Sequence, residues 1–115
     1  MSIQSLQNDV QRAQRDIAGL TRKLSDLSKK EADLGQKLAR AQGGLSSARS
    51  LSSLQSKTRE MARLQEDIGR VQKDKADLNK RIGDKTKDLH RYQERLAKEG
   101  ETERKKIAEA EKKRQ

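Results

Sequence analysis

Apolar residues recur at alternating spacings of three and four along the first half of the chain. They are Ile3, Leu6, Val10, Ala13, Ile17, Leu20, Leu24, Leu27, Leu34, Leu38, Ala41, Leu45 and Ala48. Only Glu31 interrupts the run. A mean spacing of 3.5 keeps one narrow apolar stripe on one side of an α-helix. Such a stripe needs a second helix to cover it. A weaker stripe follows in the second half: Met61, Leu64, Ile68, Val71, Leu78, Ile82, Leu89, Tyr92 and Leu96, with Lys75 and Lys85 at seam positions. Thr58, Met61 and Leu64, two spacings of three in succession, predict a stammer that overwinds the coil locally.

The pattern predicts an all-α chain of two helices, over residues 2–42 and 54–113. The coiled-coil part of the second is 54–97, and a charged helical extension towards a missing C-terminal domain follows over 98–115. Between the helices, residues 43–53 read as a turn. Gly43-Gly44 costs a helix roughly 2 kcal/mol relative to two alanines. The serines after it compete for backbone hydrogen bonds and make good N-caps, so Ser53 or Ser56 is expected to start the second helix. In the extension, Glu101–Lys105 and Glu109–Lys113 have the spacing of helix-stabilising ion pairs. The extension stops at Gln115 without a capping signal, and the chain is expected to be an N-terminal piece of a longer protein with a C-terminal domain beyond it.

Two arrangements satisfy the stripes: an antiparallel hairpin, or one continuous helix in a parallel dimer. Leu45 and Ala48 stay in phase across the glycines, which favours continuity. Loss of phase at Leu51 favours the hairpin. So does charge, because a parallel dimer sets Glu31 against Glu31 and Lys75 against Lys75. A hairpin turning near residue 47 is expected to bring Glu31 near Arg63 instead.

The flanks carry a second pattern. With Ile3 as heptad position a, the e positions are Gln7, Gln14, Thr21, Ser28, Gly35 and Gln42. With Met61 as a, they are Gln65, Gln72, Asn79, Thr86 and Gln93. None is charged. The g positions are all charged: Asp9, Asp16, Lys23, Lys30, Lys37, Asp67, Asp74, Arg81, Asp88 and Arg95. Exposed e positions of simple two-stranded coils usually carry Glu or Lys. The neutral flank therefore predicts that two hairpins pack into a four-helix homodimer; a lone hairpin is the alternative.

Composition agrees with long helices rather than a globule. Charged residues make up 40% of the 115 and hydrophobic residues 30%, with no Trp or Phe and one Tyr. Aromatics supply much of the buried area of compact cores. There is no Pro to break a helix and no Cys for disulfides or thiolate ligands. Neither a secretory signal nor a membrane span is visible, and a cytoplasmic location is expected.

Candidate chemistry is sparse. His90 falls at a b position facing water, and Tyr92 falls on the stripe as packing. Gly43-Gly44 lacks the Lys and Ser/Thr of a phosphate loop. No metal-ligand cluster, cofactor motif or catalytic constellation is present, and catalysis by this chain is not expected. The net charge of +10 admits non-specific binding to nucleic acid or an anionic membrane. The basic clusters Lys29-Lys30, Arg104-Lys105-Lys106 and Lys112-Lys113-Arg114 are interrupted by acids, and no aromatics are available to stack on bases. Self-association is the favoured reading over either.

Residues 50–63, Ser-Leu-Ser-Ser-Leu-Gln-Ser-Lys-Thr-Arg-Glu-Met-Ala-Arg, resemble a Ser/Thr-rich segment in the N-terminal coiled coils of bacterial TIR (Toll/interleukin-1 receptor) domain proteins. The Lys/Glu-rich helix from Leu64 to Lys98 is similar to the one that follows the segment there. The resemblance implies a signalling protein in which this region oligomerises a C-terminal TIR domain that cleaves NAD. The TIR fold and its catalytic glutamate are not in this chain, so no site residue carries over.

Overall fold

The structure, a computed structural model, describes residues 2–114. The described chain is all-helical: α1 spans Ile3–Leu45 and α2 spans Leu51–Arg114. It divides into two compact units. Thr21–Lys80 forms a turn unit, and Met1–Leu20 with Arg81–Gln115 forms an end unit.

Serines cap both helices. The Ser5 N–H donates to Ser2 Oγ at 3.1 Å at the start of α1. The Ser53 N–H donates to Ser50 Oγ at 3.0 Å at the start of α2. Each satisfies one of the donors that a helix N-terminus leaves unpaired. The cap of α2 is thus Ser50, not Ser53 or Ser56.

The glycines do not make the turn. α1 runs through Gly43 and Gly44 and ends at Leu45. No described glycine takes a positive φ, so no left-handed glycine cap is used. The last turn tightens instead: Ser47 N–H donates to Gly44 O and Ala48 N–H to Leu45 O, both at 3.2 Å, and the Ser46 hydroxyl donates to Gly43 O at 2.9 Å. Burial explains why the helix outlasts its two weakest residues. Ala41 is 3% exposed and Leu38 and Leu45 are half-buried, so the apolar stripe continues past the glycines and offsets their backbone cost. Gly44 has a further reason. A Cβ there would lie 3.2 Å from Lys57 Cε, so its bareness admits the lysine stem.

Within the turn unit the helices run antiparallel. Gly44 touches Lys57, and Glu31 Oε1 meets Lys75 Nζ at 3.4 Å. Glu31 therefore faces Lys75 rather than Arg63. The five residues between the helices carry α2 past the end of α1 before it turns back, so the partner of Glu31 slides toward the C-terminus. Residues 51–56, the overshooting start of α2, are all exposed. The expected stammer is also absent from the seam. Thr58 is exposed, while Lys57, Met61 and Leu64 are half-buried at a regular four-then-three spacing. Lys57 lays its aliphatic stem across Gly44 where Thr58 was expected to pack.

The end unit is antiparallel too. Asp16 Oδ2 meets Lys85 Nζ at 3.3 Å, while Asp9 and Ala13 border the same cleft as Asp88 and Tyr92. Each lysine that breaks the second stripe thus has a carboxylate across the seam in its own unit.

Candidate self-association face

The eighteen seam residues expected from the sequence divide by depth. Leu6, Leu34, Val71 and Leu78 are buried. Ile3, Val10, Ile17, Leu20, Leu24, Leu27 and Leu38 on α1 are half-buried. So are Met61, Leu64, Ile68, Ile82, Leu89, Tyr92 and Leu96 on α2. Among the described residues, only Ala13 and Ala41 join these four in being buried. A single pair of helices covers a stripe from one side only, so most of the seam keeps an open edge.

The two flanks of the seam differ. In the end unit, Asp9, Asp16 and Asp88, all g positions, line one cleft of about 60 Å³ together with Arg12, Ala13, Lys85 and Tyr92. In this unit the g edges of the two helices therefore lie on the same side, as antiparallel packing requires. The e edges lie together on the other side. Charge sorts accordingly. Lys85 answers Asp16 on the g side, and Arg91 pairs with Asp88.

The e side is uncharged, and the neutral surface is wider than the e positions alone. On α1 the adjoining b positions are Gln4, Gln11, Ala18, Ser25, Ala32 and Ala39. On α2 they are Ala62, Gly69, Ala76, Gly83, His90 and Ala97. All twelve are exposed, and His90 alone among them can take a charge. Sequence reasoning found the e row but not this one. The signal was a small residue at five of six successive heptad steps on α2, His90 excepted. Nothing lies within 4 Å of a Cβ built on Gly35, Gly69 or Gly83, so the bareness of these glycines serves no contact within the chain. Of the e positions, Thr86 is half-buried, its hydroxyl donating to Ile82 O at 2.7 Å, and the rest are exposed.

The other solvent-facing rows of the turn unit are highly charged. They include Arg22, Lys29 and Asp33 on α1 and Arg63, Arg70 and Lys73 on α2. There Arg70 pairs with Glu66 at 3.0 Å and Asp67 at 3.8 Å. Each unit is thus two-faced, with ions on one side and amides, hydroxyls and bare backbone on the other. A second helix approaches the neutral side without desolvating a charge. Among the described residues, no three His, Cys, Asp or Glu side chains gather to hold a metal ion.

The class defined by this geometry is an antiparallel, coiled-coil-like helix pair. No family model, curated protein or solved structure matches the chain. None of these comparisons links the chain to TIR-domain proteins.

Proposed function

We propose that the chain is a self-association module in which two copies pack through their uncharged e/b faces into a four-helix homodimer. The observation that carries this reading is the sorting of charge just described. In a chain 40% charged, two adjoining heptad rows hold no carboxylate, lysine or arginine over residues 3–42 of α1 and 61–97 of α2. Small residues let helix backbones approach closely, and Gln and Asn there hydrogen-bond across an interface without an ionic desolvation cost.

Two further observations support it. Fourteen of the eighteen seam residues are only half-covered by the partner helix. The chain also exposes 9067 Å², where a compact monomer of its mass exposes about 6400 Å². Association draws on that reserve. The role follows from the assembly: a domain joined to this region in cis would be brought next to its copy. The resemblance of residues 50–63 makes a bacterial TIR domain the candidate cargo, and it alone supports that part of the reading.

Sedimentation equilibrium tests the association. The chain is expected to sediment as a dimer at micromolar concentration. Ala32→Glu with Ala76→Glu, both at exposed b positions of the turn unit, is expected to give a monomer that remains helical by circular dichroism. A wild-type monomer at high micromolar concentration, or a dimer indifferent to the two glutamates, overturns the proposal.

A further inference from the structure

The turn end of the turn unit carries a second surface that the e/b face does not use. Residues 34–59 contain Lys37, Arg40, Arg49, Lys57 and Arg59 and not one carboxylate. In the folded unit this acid-free stretch comprises the end of α1, the connection and the overshooting start of α2.

Two leucines stand there in water. Leu51 is 70% exposed and Leu54 42%. Leu54 lies seven residues before Met61, at a seam position, but α1 has already ended and leaves it exposed. Leu51 lies one turn before it on the same face of α2.

Around the corner of α2, Ser52, Gln55, Ser56, Arg59 and Arg63 line one shallow depression. Glu60 is the only carboxylate there, and Lys57 holds it at 3.6 Å. Guanidinium and hydroxyl donors at helical spacing suit phosphate oxygens. Lys57 and Arg59 lie within about 12 Å of Leu51 along the helix axis, close to one Debye length, and Arg49 stands two residues before it in the connection.

From this juxtaposition we infer that the turn end docks end-on against an anionic lipid bilayer, with Leu51 and Leu54 entering the headgroup–acyl boundary and Arg49, Lys57 and Arg59 contacting lipid phosphates. Charge complementarity selects an anionic surface. The paired leucines select a bilayer over nucleic acid, since a duplex backbone offers them no apolar phase and the tip has no aromatic to stack on bases. The contact is peripheral. Among the described residues no helix is long and apolar enough to cross a membrane. Leu54 is exposed because α1 ends at Leu45 and does not extend alongside the start of α2.

Flotation of the full chain with vesicles of phosphatidylcholine alone, or with one-third phosphatidylglycerol, tests the inference. Binding is expected to the anionic vesicles only and to weaken as salt rises. Leu51→Ser with Leu54→Ser is expected to lower the bound fraction roughly fivefold or more, with helicity unchanged. Arg49→Glu is expected to lower it roughly threefold and gives an independent readout at a residue outside both helices. No binding to anionic vesicles overturns the inference. So does undiminished binding by the leucine double variant, which would mean diffuse electrostatics along the rods. Release of the protein from vesicles to an added DNA duplex, with the same residues controlling duplex affinity, also overturns it.

Discussion

Glu31 and Lys75, the charged residues at a positions of the two stripes, meet each other across the seam at 3.4 Å. Each is a defect on its own helix. Together they form a matched pair whose side chains are 30% and 25% exposed. Such a pair contributes little net stability, but it is available only when the helices run antiparallel in this register.

A double-mutant cycle on Glu31→Ala and Lys75→Ala, read by urea denaturation, is expected to give a coupling of about 1 kcal/mol. Lys75→Glu alone sets two carboxylates together and is expected to destabilise more than Lys75→Ala. The exchange Glu31→Lys with Lys75→Glu is expected to recover most of the loss. Failure of the exchange to recover stability would show that the pair is not in contact.

Burial separates leucines that look equivalent in composition. Leu6 is 1% exposed and Leu34 8%, while Leu51 is 70% exposed. Leu34→Ala is expected to cost about 2–4 kcal/mol. Leu51→Ala is expected to stay within about 0.5 kcal/mol of wild type. Urea midpoints at fixed protein concentration check the contrast.

Three serines compete as the start of α2, and the hydrogen bond at Ser50 decides between them. Ser50→Ala is expected to lower stability by about 1 kcal/mol. Ser53→Ala and Ser56→Ala, inside the helix and exposed, are expected to be neutral or slightly stabilising, since alanine is the better helix former. An effect at Ser56 larger than at Ser50 would move the helix start.

The adjacent glycines make a sharper comparison. Gly43 has nothing within 4 Å of a built Cβ, so Gly43→Ala is expected to stabilise by about 0.5–1 kcal/mol. At Gly44 the new methyl group would press on the Lys57 stem at 3.2 Å. Gly44→Ala is therefore expected to gain clearly less, because the stem must shift and lose its packing. Thermal melts of the two single variants measure the difference. Equal gains would place the lysine stem elsewhere.

The seam was legible because Leu, Ile and Val at three-four spacing leave little choice of phase. The turn was not. Gly43-Gly44 is the strongest local break signal in the chain, but coverage of Ala41 and Leu45 by the partner helix outweighs local propensity. The register of Glu31 was missed for a related reason. Sequence gives the length of a connection, not how far the next helix overshoots before it returns. Lys57 takes the seam place expected of Thr58 because its methylenes pack across Gly44 while its ammonium reaches Glu60. On the candidate face the e row was read directly. The b row needed the antiparallel geometry to show that it widens the same surface.

Residues 101–114 of α2 are exposed on every side, Ile107 included at 52%. Contacts internal to the helix span them: Lys105 with Glu101 at 3.7 Å, the Thr102 hydroxyl with Lys98 O at 3.0 Å, and Arg104 Nε with Gly100 O at 3.3 Å. Unwinding this stretch of about 20 Å breaks no leucine contact. Its amide protons should trade with deuterated solvent long before those around Val71 or Leu78, and trypsin should nibble it back from the C-terminal side. The chain thus carries its own fuse, a segment that opens and closes while the clasped helices stay shut.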